Sequence, residues 1–139
     1  MACGPAHPVR DPGAKRQLAI LPVESDTFPV AARAVGAMLV AAKVKDIDAM
    51  RVSKVSIEVV QLSIECLEPT NACYEAAGRS MSANRLLFAR IEGGTRRLKL
   101  TVTLFDVDAR EPKRSQVKVF ATEAEAIEGA PTLVEVVTQ

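Results

Sequence analysis

The stretch 98–105 alternates apolar and polar residues, and this alternation constrains the fold more than any other feature of the chain. It reads Leu98, Lys99, Leu100, Thr101, Val102, Thr103, Leu104, Phe105. A period of two is typical of a strand with one side on a core and the other toward solvent. The stretch therefore predicts a half-buried strand whose inner side carries Leu100, Val102 and Leu104, with Phe105 on the other side.

The segments around this strand predict an antiparallel meander over residues 85–121. A strand is expected over Arg85–Glu92, and Gly93 and Gly94 are suited to the turn that follows it. Residues 106–114 are polar and include Pro112, which predicts a loop, and Val117 and Val119 indicate a third strand.

The end of the chain predicts a helix. Thr122 and Glu125 have the spacing of a capping box. Gly129 and Pro131 are expected to interrupt this helix, and Leu133, Val134 and Val137 continue its apolar side.

The first half of the chain predicts a strand, a helix and a second strand. The apolar run 18–23 is typical of a buried strand. Residues 24–27 form a turn with helix-capping side chains, and Pro29 suits the first turn of a helix that extends to about Lys45. Residues 50–55 predict a short second strand.

A helical hairpin is expected between residues 56 and 81. Ser56 is a capping candidate for a helix whose apolar residues are spaced three, four and three apart: Ile57, Val60, Ile64 and Leu67. Pro69 ends it, and either Thr70 or Asn71 caps a second short helix. Because Val and Ile favour strands, a strand over residues 55–64 is the alternative.

The resulting order is β-α-β-α-α-β-β-β-α in a chain of 139 residues. It predicts a single α/β (α+β) domain over residues 17–139, with a mixed sheet, an antiparallel meander and helices packed on one face.

Residues 1–16 are predicted to be a flexible tether, since three prolines and two glycines lie between residues 4 and 15. The opening Met-Ala-Cys-Gly resembles a lipoprotein cut at its lipobox, which makes Cys3 a candidate lipid anchor. A chance cysteine in a disordered tail is the alternative.

Three segments together resemble a known family. They are the strand Leu-Ala-Ile-Leu-Pro-Val, the stretch 73–91 that starts Cys-Tyr-Glu-Ala-Ala-Gly-Arg, and the run 100–108 that ends Phe-Asp-Val-Asp. This pattern is similar to the small α/β domains of bacterial cell-envelope proteins related to the amino-terminal domain of TolB. The resemblance implies protein binding in the periplasm and no catalytic residues. It does not extend to the Tol system, because the TolB propeller is absent from this sequence.

Cys66 and Cys73 flank the turn of the predicted helical hairpin. A turn brings the two Cα atoms into disulfide range, and in an oxidising compartment the pair would close a loop of about eight residues. Two reduced core cysteines are the alternative. The pairing leaves Cys3 for a separate fate such as lipidation.

Other classes of site have little support in the sequence. Net charge is +1 and Trp is absent, whereas a nucleic-acid binder is expected to be basic and rich in stacking aromatics. His7 is the only histidine and falls in the tether, so neither a metal site, a cofactor nor a nucleophilic triad is predicted. Asp106 and Asp108 form a carboxylate pair that could bind a cation, although solvation of a turn is the simpler interpretation.

Two groups of basic residues are the candidate partner contacts: Arg96, Arg97, Arg110, Lys113 and Arg114. The sequence predicts a non-enzymatic periplasmic module that binds or assembles with another envelope protein, at a sheet edge or at the loop 106–114. Contact with the outer membrane is expected only through Cys3. The alternative is a domain that binds a small ligand or an anionic polymer of the envelope through the basic residues.

Overall fold

The computed structural model describes residues 16–94 and 96–139. They form a mixed five-stranded sheet with four helices, which confirms the predicted fold class and element order. The elements are β1 (Gln17–Ile20), α1 (Pro29–Ala41), β2 (Ala49–Val52), α2 (Ile57–Ser63), α3 (Asn71–Ser80), β3 (Arg85–Gly94), β4 (Arg97–Asp106), β5 (Glu111–Phe120) and α4 (Glu123–Thr138). None of the helices in these ranges is long and apolar enough to cross a membrane.

The strands lie in the order β2-β1-β3-β4-β5. β1 is parallel to both β2 and β3, and β3, β4 and β5 form the antiparallel meander that the sequence predicted. Parallel neighbours need a crossover connection, which α1 supplies between β1 and β2 and the α2–α3 hairpin between β2 and β3. β2 and β5 are consequently the two edges of the sheet.

Helices cover both faces of the sheet, so the prediction that they pack on one face is wrong. Leu18 and Ile20 of β1 belong to the core under α1 and α4, whereas Ala19 and Leu21 belong to a second core under α2 and α3. After Gln17, strand β1 is apolar at each position because both of its sides are buried, as is usual for parallel strands. We call the two sides of the sheet the α1–α4 face and the α2–α3 face.

The segment 57–63 is helical, which decides between the helix and the strand that the sequence left open. Ser56 accepts a hydrogen bond from the Val59 N–H, and Thr70 accepts one from the Cys73 N–H. These caps satisfy N–H groups that a helix start leaves unpaired, and Thr70 rather than Asn71 is the cap of α3. The sulfur atoms of Cys66 and Cys73 form a disulfide, with the Cα atoms 5.5 Å apart, as the spacing around the turn predicted.

The Cys66–Cys73 bond should form in protein that folds under oxidising conditions. Alkylation without reductant, followed by mass measurement, should then leave both thiols unlabelled. Reduction should lower the free energy of unfolding by about 2.5 kcal/mol, because the closed loop restricts the unfolded chain. Full labelling of both thiols in the folded, oxidised protein would contradict the pairing.

Helix α4 is continuous, so the interruption predicted at Gly129 and Pro131 does not occur. The exposed Pro131 removes one backbone hydrogen bond, but the helix is held by an apolar side that is buried on the sheet: Ala126, Ala130, Leu133, Val134 and Val137. Gly129 has a packing role, since a Cβ there would lie 2.6 Å from the ring of Phe120.

The predicted loop 106–114 is much shorter in the structure. β4 ends at Asp106, β5 already begins at Glu111, and only four residues turn between them. The length of β5 was underestimated from the sequence because the polar residues at its start suggested a loop. In the structure, pairing with β4 extends the strand over ten residues. Helix α1 likewise ends at Ala41 rather than near Lys45.

Candidate functional site

One half of the α2–α3 face has no helix over it. α2 and α3 contain seven and ten residues, which gives helices about 10 and 15 Å long. β3, β4 and β5 contain ten residues each and are about 33 Å long. The short helices cover Leu86 and Phe88 at the start of β3 and Phe105 at the end of β4, and the opposite half of the meander remains open.

We define the open face by five side chains of this open half: Glu92, Lys99, Thr101, Val117 and Val119. The strand register places Thr101 beside Val117 and Lys99 beside both Val119 and Glu92. Val117 and Val119 are 57% and 51% exposed, although two valines in a strand usually pack on a core. The Lys99 Nζ and Glu92 Oε1 atoms are 3.8 Å apart in an exposed pair that contributes little stability.

The open face ends at β5, whose outer edge pairs with no other strand of the sheet. Near its start this edge is blocked, because Pro112 lacks an N–H and the register shift at Leu104 and Phe105 leaves Lys113 as a bulge. Such features protect an edge against unwanted pairing. From Ser115 to Phe120 the strand is regular, so this part of the edge is the accessible one.

Arg90 lies at the border between the open and the covered half. Its guanidinium donates to the Gln61 side chain, lies 3.6 Å from a Glu58 carboxylate oxygen, and is 5.7 Å from the centre of the Tyr74 ring. The buried Gln61 in turn donates to the Glu68 carbonyl across the disulfide-closed turn. Burial raises the pKa of the Tyr74 phenol, and the positive charge of Arg90 opposes that shift. Arg90 therefore fixes the helical hairpin to the sheet beside the open face.

The basic residues predicted as partner contacts form two groups at opposite ends of β4. Arg96 and Arg97 lie at the turn from β3, and Arg110 lies about 30 Å away at the turn into β5. The Arg110 Nε atom is 3.0 Å from the carboxylate of Glu75 on α3. Lys113 and Arg114 are exposed on β5. The five residues thus do not converge on one pocket: Arg96 and Arg97 lie at the open end of the meander, whereas Arg110, Lys113 and Arg114 lie at its covered end.

Asp106 and Asp108 are held by Arg85 rather than placed for a cation. The Arg85 Nη1 atom lies 3.0 Å from Asp106 Oδ1 and 3.7 Å from Asp108 Oδ2, and Arg85 itself is buried. Asp106 also accepts a hydrogen bond from the Ala109 N–H. This arrangement fastens the β4–β5 turn to the start of β3, which fits the turn interpretation of the carboxylate pair.

The structure brings together no metal-binding cluster of three His, Cys, Asp or Glu side chains within residues 16–94 and 96–139. Cys3 and His7 lie outside these ranges, as does most of the predicted tether. Arg16 is described, and its N–H donates to the Asp48 carboxylate at 2.7 Å, next to the start of β2.

Sequence reasoning missed that Val117 and Val119 are exposed. Phe120 indicates which way they face. Its ring packs under α4, and because side chains alternate along a strand, Val119 and Val117 must point to the other side of the sheet. Whether that other side is covered depends on how far α2 and α3 reach, which the spacing of apolar residues does not tell.

No protein-family model and no curated protein matches the chain. Solved structures do match it. The PelC dodecamer from Paraburkholderia phytofirmans matches with a TM-score of 0.51 and 14% identity, over 89% of this chain and 88% of that chain. Likeness at this identity shows the fold alone.

The C-terminal domains of LpoB from Salmonella enterica and Escherichia coli are more distant. Their TM-scores are 0.48 and 0.43, with 12% and 14% identity, over 81% of this chain and 87% and 88% of those chains. None of these structures is a TolB domain, so the TolB resemblance stays a prediction from the sequence.

Proposed function

We propose that this chain is a non-enzymatic, exported assembly module that binds a protein through the open face and the adjoining edge of β5. The observation that carries the proposal is the exposure of Val117 and Val119 on a sheet surface with no helix over it. Exposed apolar side chains that are ringed by polar ones mark interaction surfaces. Arg97, Lys99 and Glu92, on the same side of the meander, provide that polar rim.

The edge of β5 adds a second means of binding. An unpaired, regular strand from Ser115 to Phe120 has backbone groups available for a partner strand. The bulge and Pro112 restrict such pairing to this part of the edge, which favours one register over a general tendency to aggregate.

Two observations support an assembly role in the cell envelope. The Cys66–Cys73 disulfide fits an oxidising compartment such as the periplasm. PelC, which shares the fold, is a dodecamer.

We further propose that Cys3 carries a lipid anchor at the outer membrane. The alternative, a domain that binds a small ligand or an anionic polymer, has weaker support because the basic residues lie in two separate groups.

A photo-reactive amino acid placed at Val117 in the native host tests the proposal. We expect a discrete protein adduct from position 117 in the envelope fraction. The matched control is Val30, which is 54% exposed on α1, on the opposite face of the sheet, and should give none. Adducts that contain polysaccharide instead of protein, or no adduct at position 117, would contradict the proposed function.

The same cells test the anchor. Cys3→Ser should move the protein from the membrane fraction to the soluble fraction, because firm anchoring requires the acyl chains of a lipoprotein. Full-length protein with Cys3 intact that is entirely soluble would show that the cysteine is incidental.

A further inference from the structure

Helix α2 is apolar on both of its sides. Ile57 and Val60 point into the core under α2 and α3. Val59 and Leu62, three residues apart, lie together on the outer side of the helix, and Val55 and Leu67 lie just before and just beyond it. Leu62 and Leu67 are 63% and 64% exposed. A helix that is apolar all round is usually buried between two layers. We call Val55, Val59, Leu62 and Leu67 the α2 stripe.

The surroundings of the α2 stripe are acidic. Residues 55–78 contain four glutamates and no lysine or arginine. Glu58 is near Arg90 and Glu75 contacts Arg79 and Arg110, whereas Glu65 and Glu68 take part in none of the ion pairs between described residues. The hairpin turn therefore presents unneutralised negative charge beside Leu62 and Leu67.

The surroundings of the open face are basic. Three basic residues, Arg96, Arg97 and Lys99, lie on it or at the β3–β4 turn beside it, against one acidic residue, Glu92. Two open faces would repel each other, and so would two α2 stripes, whereas an open face and an α2 stripe attract. Both surfaces are apolar at the centre and complementary in charge at the rim.

The two surfaces lie toward opposite edges of the sheet. α2 packs against Ala19 and Leu21 in and just after β1, and the open face lies on the last strands, β4 and β5. One copy could therefore use both surfaces at once, each with a different neighbour. A second α2 laid on the open face would continue the helical layer that α2 and α3 leave incomplete.

We infer that the open face of one copy binds the α2 stripe of a second copy, head to tail. The inference rests on the proposed function and names the partner as the chain itself. The contact is heterologous, so it repeats from copy to copy and gives a ring where the rotation closes and a filament where it does not.

Sedimentation velocity over a range of concentrations tests the inference. Wild-type protein should form species larger than a dimer. Val117→Glu, which breaks the open face, and Leu62→Arg, which breaks the α2 stripe, should each sediment as a single chain. Val30→Glu, a matched control at similar exposure on α1, should assemble as the wild type does. Thermal melts check that all variants are folded.

The decisive sample is an equimolar mixture of the two broken variants. Val117→Glu keeps its α2 stripe and Leu62→Arg keeps its open face, so the mixture should form a dimer and stop there. A monomeric mixture, or wild-type protein that stays monomeric at every concentration, overturns the inference. Variants that each still dimerise alone point to a two-fold contact and also overturn it.

Two further results separate this inference from the proposed function. A monomeric wild type combined with a photo-adduct from position 117 to a different protein overturns self-assembly and leaves the proposed function intact. Flotation of the wild type with vesicles of phosphatidylglycerol and phosphatidylethanolamine, abolished by Leu62→Arg, would assign the α2 stripe to a lipid surface and overturn the inference.

Discussion

Val102→Asp should leave the protein unfolded at room temperature. Val102 lies in the middle of β4, is fully buried, and belongs to the core between the sheet and helices α1 and α4. A carboxylate without a partner at this position costs several kcal/mol. That is a large part of the roughly 5–15 kcal/mol that stabilises an ordinary domain. Far-UV circular dichroism during urea titration measures the loss of stability.

Lys99→Asp is the control for this substitution, since it adds the same carboxylate to the same strand. Lys99 lies on the open face and is exposed, so its replacement should change the free energy of unfolding little. Loss of the pair with Glu92 is a small effect because both side chains are in solvent. Equal stability of the two variants would refute the assignment of the two sides of β4.

Phe105→Ala should lower the free energy of unfolding by about 3–5 kcal/mol, as removal of a buried ring usually does. Phe105 is fully buried in the core under α2 and α3. Its ring centre is 5.7 Å from that of Tyr74, in an edge-on arrangement. The cavity would lie between two fixed elements, the sheet and α3, which limits how far the structure can relax.

Thr101→Ala is the matched control, because Thr101 lies on the same side of β4 as Phe105 but on the open face. Its replacement should alter stability by less than about 0.5 kcal/mol. Tyr74 is the only tyrosine and the chain has no Trp, so tyrosine fluorescence reports on the site beside Phe105 during unfolding. Similar losses for Phe105→Ala and Thr101→Ala would mean that the α2–α3 face is covered along its whole length.

A half-covered sheet face links these stabilities to the proposed function. The covered half, with Phe88 and Phe105 under α2 and α3, supplies packing that the domain needs to fold. The open half supplies apolar surface that the isolated domain leaves in water. Substitutions there are expected to change assembly with little effect on folding, which makes the two roles separable by experiment.

The sequence by itself determined the order of elements and much of their local chemistry. Periodicities of two and of three to four are set by backbone geometry, so β4 and the helices could be located from residue spacing. The caps at Ser56, Thr70 and Thr122 are local hydrogen bonds over three residues, and all three form. The disulfide joins residues seven apart across one turn, and it too followed from local spacing.

Only the tertiary structure decided which surfaces are buried. Pro131 stays within α4 because the apolar side of the helix is packed on the sheet, and α1 begins with its Ala31 N–H bonded to Glu123 of the distant α4. Phe105 is buried and Val117 exposed because α2 and α3 are shorter than the strands beneath them. Burial is a property of what neighbouring elements cover, and it depends on contacts between residues far apart in the chain. The residue pattern within one strand carries no record of those contacts.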